Sequence, residues 1–86
     1  MNNYVTGKVI KDLREAGSMT QTELGELLGV SNKAISKWET GKGLPDITLI
    51  EPLAKALHIS VAELLAGEYV TNQNKAGNMK RTRLYV

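Results

Sequence analysis

The sequence predicts an all-α fold of five short helices, and three observations carry that expectation. Apolar residues recur every three or four positions between Val5 and Leu65. Glycine, proline and hydroxyl residues interrupt them at helix-length intervals. No stretch alternates apolar and polar residues as a half-buried strand does.

The first helix is expected over Val5 to Ala16, with Val5, Val9, Ile10 and Leu13 facing inward and Gly17-Ser18 ending it. Thr20-Gln21-Thr22-Glu23 has the form of a capping box and opens a second helix that runs to about Leu28. Gly29 can take the positive φ that stops this helix, Val30 fills the corner, and Ser31 caps a third helix from about Asn32 to Glu39. Leu24 pairs with Leu28, and Ile35 with Trp38, each on one helical face, so QTELGELLGVSNKAISKW reads as a helix-turn-helix. Gly25 falls where two steeply crossing helices need a missing side chain. Asp46 is the expected cap of a fourth helix to Leu57, with Ile47, Ile50, Leu53, Ala54 and Leu57 as its inward stripe. Pro52 is awkward within it, which favours either a late start near Leu49 to Glu51 or a tolerated kink. Ser60-Val61-Ala62-Glu63 is a second capping box, opening a fifth helix that Gly67 closes.

At 86 residues the chain is of single-domain size, and its composition excludes several function classes. There is no cysteine and one histidine, His58, so no metal site and no catalytic nucleophile–base pair is expected, and neither is a cofactor. No apolar run approaches membrane-spanning length and nothing resembles a signal peptide, which points to a cytoplasmic protein. Charge is unevenly placed: residues 1–69 hold seven Lys/Arg against nine Asp/Glu, while residues 70–86 hold four Lys/Arg and no acid. A net acidic domain argues against indiscriminate nucleic-acid binding, but not against a local basic face.

Such a face is present. The outward side of the third helix carries Asn32, Lys33, Ser36 and Lys37, the side a duplex groove would meet. Asn32 suits a bidentate contact to adenine and either lysine a contact to guanine, each discriminating by roughly 1–3 kcal/mol. The competing reading is a solvated helix face, with the lysines on phosphates rather than bases. Gln21 and Thr22 begin the second helix, whose free N–H groups and positive dipole end favour a phosphate. Gln21 could equally be an ordinary first-turn residue. Trp38 reads as core.

Four features together, the Thr20-Gln21 start, the glycines, the Trp38-Glu39 exit leading to Gly41 and Pro45, and the closing Ser60-Val61-Ala62-Glu63-Leu64-Leu65, make the chain resemble the Cro/C1-type (XRE) family of phage and bacterial repressors. The likeness covers about Val5 to Gly67 and implies a lambda-repressor-like fold, double-stranded DNA as partner, and regulation of transcription, usually as a homodimer. Residue by residue, it places Gln21 on a phosphate, with Thr22 and Ser31 beside it. It places Asn32, Lys33, Ser36 and Lys37 on bases or adjacent phosphates. Gly41 and Lys42 match a loop that meets the DNA backbone through amides and a cation. Arg14 and Glu39 match a structural ion pair joining the first helix to the end of the third. Gly17-Ser18 departs from the family pattern, in which a charged residue and a glycine are usual.

The domain is expected to end near residue 69. Residues 70–86 read as a basic tail or linker, with three roles open: a disordered arm, a strand assisting dimerisation, or the lead-in to a cysteine-rich metal-binding module that this chain lacks. Leu84-Tyr85-Val86 has strand propensity. The dimer surface is expected around the fifth helix, at Ile59, Val61 and Leu65. The rival reading is a protein-interaction module, such as an antitoxin that holds its partner through the tail and binds DNA secondarily. Enzymatic function is not expected.

Overall fold

The computed structural model describes residues 2–71 and 80–83, with side-chain packing described for residues 2–67. Helices α1 (Asn3–Ala16), α2 (Gln21–Leu28), α3 (Asn32–Glu39), α4 (Ile47–Ala56) and α5 (Val61–Ala66) follow in order. Each boundary has a local cause. The side chains of Asn2, Thr20, Ser31, Asp46 and Ser60 all accept a first-turn backbone N–H, and both expected capping boxes form. Gly29 and Gly67 end α2 and α5 at φ 73° and 72°. Two helices stop the same way without glycine: Ser18 (φ 56°) and His58 (φ 61°) take the left-handed position after α1 and α4.

Val9, Ile10, Leu24, Ile35, Trp38, Ile50, Leu53, Ala54, Leu57 and Leu64 form one core to which all five helices contribute. Close backbone approach sets the packing of the first three. A Cβ on Gly7 would collide with the carbonyl oxygen of Trp38, and one on Gly25 would lie 2.6 Å from that of Val30. Gly7 thus lets α1 lie on the end of α3, and Gly25 lets the α2–α3 turn fold back on its own helix.

Two expectations are corrected. α4 does not start late: Asp46 caps it at Ile47 by accepting the Thr48 N–H, and Pro52 stands inside the helix. The Thr48 carbonyl left without a donor belongs to an exposed residue, so water can satisfy it. Ile47 does not join the inward stripe; at the first position of α4 it lies beyond the edge of the core and is 85% exposed. The segment after α5, expected as a tail or linker with a strand among its open roles, is extended in its described part. A two-stranded antiparallel ribbon follows it, β1 (Glu68–Thr71) and β2 (Lys80–Arg83), with Glu68 opposite Arg83 and Thr71 opposite Lys80. Tyr69, Val70 and Thr71 favour extended backbone, but four residues are too few to show a period. Residues 72–79 and 84–86 lie outside the described residues, and with them Lys75, Leu84-Tyr85-Val86 and most of the segment likened to a lead-in. No helix among the described residues is long and apolar enough to cross a membrane.

Candidate nucleic-acid interface

α3 owes its two faces to its sequence. Ile35 and Trp38 point into the core, while Asn32, Lys33 and Lys37 are exposed and Ser36 is half-buried. Ser31 fixes the start of the helix by accepting the Ala34 N–H, which orients Asn32 and Lys33 at its first turn. α2 crosses behind α3, and Asn32 Nδ2 approaches Thr22 Oγ1 at 3.5 Å, a long contact linking the two helix starts. The expected groove-facing residues therefore share one solvent-facing surface. Among the described residues, Lys33, Lys37 and Lys42 have no carboxylate within ion-pair distance, whereas Lys8 and Lys55 pair with Asp12 and Glu51 one turn away.

A buried polar cluster holds this surface in place. Arg14 and Glu39, whose side chains are 10% and 3% exposed, meet through Nε to Oε2 at 2.6 Å and Nη2 to Oε1 at 3.0 Å. Arg14 Nη1 donates to the Met19 carbonyl at 2.7 Å, so the guanidinium also ties down the α1–α2 connection. The hydrogen bond to Glu39 raises the Arg14 pKa above its ordinary value, against the opposing cost of burial. Gln21 Nε2 donates to Glu39 Oε1 at 3.0 Å. The expected phosphate donor thus spends one amide hydrogen inside the protein, and its second has no acceptor among the described residues. The sequence did not indicate this link between α2 and the ion pair, because no short-range spacing relates Gln21 to Glu39.

Backbone donors are distributed differently from expectation. The N–H groups of Gly41 and Lys42 close the end of α3 on the carbonyls of Trp38 and Lys37, at 3.1 and 3.0 Å, and are not free for a phosphate. The next two, of Gly43 and Leu44, meet no acceptor among the described residues. At α2, the capping box engages the N–H groups of Thr20 and Glu23 and leaves those of Gln21 and Thr22 without an acceptor among the described residues.

A separate surface is apolar. Leu44, Pro45, Ile47, Ile50, Glu51, Val61 and Leu65 line a groove of about 440 Å³ between the start of α4 and α5. Of the residues expected to form a dimer surface, Leu65 is exposed, while Ile59 and Val61 pack partly against the core.

Comparison with known proteins gives this arrangement a family. The helix-turn-helix family model matches residues 10–64. The repressor protein C2 of Salmonella phage P22 is 38% identical over 68 residues, covering 79% of this chain and 32% of the relative. The HTH-type transcriptional activator BcrR of Enterococcus faecalis is 35% identical over 80 residues, covering 90% of this chain and 39% of the relative. The chain thus spans well under half the length of these two relatives. Among solved structures, the P22 c2 repressor in complex with a synthetic operator superposes with a TM-score of 0.69 at 39% identity, covering 72% of this chain and 94% of that one. With the family model matching residues 10–64 and a phage repressor 38% identical over 79% of this chain, the chain belongs to the Cro/C1-type (XRE) family of helix-turn-helix proteins.

Proposed function

We propose that this chain is a sequence-specific DNA-binding regulator of transcription, most simply a repressor, that docks α3 in the major groove. The observation that carries the reading is the solvent-facing surface of Asn32, Lys33, Ser36 and Lys37, whose cations have no carboxylate partner among the described residues. Gln21, Thr22, Ser31 and Lys42 flank it as phosphate contacts. The N–H groups of Gln21 and Thr22 at the start of α2 add donors where a phosphate is favoured. The resemblance to an operator-bound repressor over nearly the whole of its chain supports the same docking. The protein works as a cytoplasmic homodimer on this reading. The apolar groove beside Ile47 and Leu65 is a surface for a second copy, and two copies would read half-sites about 34–36 Å apart. The test is selection from a random duplex library at about 150 mM salt, where nonspecific binding is weak. Enrichment of a palindrome is expected; absence of any enriched sequence contradicts the proposal.

A further inference from the structure

The loop between α3 and α4 holds Lys37 in an unusual way. A Cβ on Gly43 would lie 2.8 Å from Lys37 Cε, 3.3 Å from its Cδ and 3.4 Å from its Cγ. The methylene stem of Lys37 therefore runs along bare backbone at Gly43, drawn sideways over the loop rather than straight out from the helix. At the loop's first glycine the Tyr4 ring lies against Gly41, with Cδ1 2.8 Å from where a Cβ would stand. Lys42 sits between the two glycines. Among the described residues this leaves a group of donors with no acceptor: two ammonium groups without carboxylate partners and the N–H groups of Gly43 and Leu44.

Position along the helix matters as much as direction. A recognition helix reads base edges chiefly with its N-terminal residues. Lys37 is the sixth residue of the eight in α3 and leans further toward the C-terminal loop. Lys33, at the second position, has no such constraint.

We propose that Lys37 anchors a backbone phosphate and reads no base. With Lys42 and the Gly43 and Leu44 amides it grips the strand flanking the groove, which leaves sequence readout to Asn32, Lys33 and Ser36. Glycine at 43 is what admits the Lys37 stem. This assignment rests on the DNA-binding reading above and divides the labour within that surface.

The test measures affinity for a selected duplex, its single-base-pair variants and an unrelated duplex over a range of salt concentrations. The proteins are the full chain and its Lys37→Met, Lys33→Met and Gly43→Ala variants. Lys37→Met is expected to weaken all duplexes by the same factor, leaving their ratios within about twofold, and to lower the slope of log K against log salt by about 0.9 for each protomer bound. Lys33→Met is expected to flatten the preference at one base pair. Gly43→Ala, which shifts the Lys37 stem but keeps its charge, is expected to lower the slope in the same direction by less than Lys37→Met does. A base preference lost in Lys37→Met, or a wild-type slope in both Lys37→Met and Gly43→Ala, overturns the assignment while leaving DNA binding intact. Absence of salt-dependent duplex binding by the wild-type chain overturns both.

Discussion

Arg14 and Glu39, 25 residues apart in sequence, face each other in the interior with two guanidinium hydrogens on two carboxylate oxygens. The same carboxylate accepts from Gln21, so a single group joins α1, α2 and the end of α3. Glu39→Ala leaves the buried guanidinium with only the Met19 carbonyl and a 3.8 Å approach to the exposed Glu15, and is expected to destabilise by about 3 kcal/mol. Replacing both partners, Arg14→Met with Glu39→Leu, should recover much of that loss. Urea midpoints check both, and a Glu39→Ala protein of wild-type stability would show that water reaches the pair.

Thr6 is 1% exposed and its Oγ1 has no hydrogen-bond partner among the described residues. Valine keeps the branched shape and removes the unsatisfied hydroxyl. Thr6→Val should therefore stabilise the fold by about 1 kcal/mol. A lower urea midpoint would mean that the hydroxyl is satisfied in solution.

Ser18 holds φ 56° at the end of α1, where the preceding residue, Gly17, does not need its freedom at φ −86°. The glycine stands one position early. Ser18→Gly should raise stability by roughly 0.5–1 kcal/mol, relief of the left-handed strain outweighing the added freedom of the unfolded chain. Thermal unfolding checks it, with a Tm several degrees higher expected.

Two caps make stability depend on acid. Hydrogen bonds from the Thr20 backbone and side chain lower the pKa of Glu23, and those from the Thr48 hydroxyl and backbone lower that of Asp46. A carboxylate whose folded pKa lies below its unfolded one stabilises fully above the unfolded value. That contribution is lost as pH falls through the folded value. Stability should therefore decline from about pH 4 downward. The Glu23→Gln, Asp46→Asn protein should show a shallower decline; an unchanged acid limb would contradict the role of these caps.

Much of this was legible in the sequence because its causes are local. The capping boxes at Thr20 and Ser60 and the stop at Gly29 need only a few neighbouring residues, and the structure forms each of them. Gly25 was also readable, as a gap in an otherwise apolar turn. What escaped was set at longer range or by competition. Gln21 looked free until α3 brought Glu39 to it, and the amides of Gly41 and Lys42 looked available until the end of α3 claimed them. Ile47 matched the inward spacing yet lies past the edge of the core, and β1 and β2 are too short to carry a period.

The central claim is that α3 and its flanking loops form the DNA surface. The most direct measurement is amide chemical-shift change on titrating the uniformly labelled chain with a selected duplex. The expected result is a set of shifts concentrated at Gln21 and Thr22, from Ser31 to Lys37, and at Lys42 to Leu44. Shifts confined to Ile47, Ile50, Val61 and Leu65, with α3 unchanged, would place the partner in the apolar groove and contradict the claim.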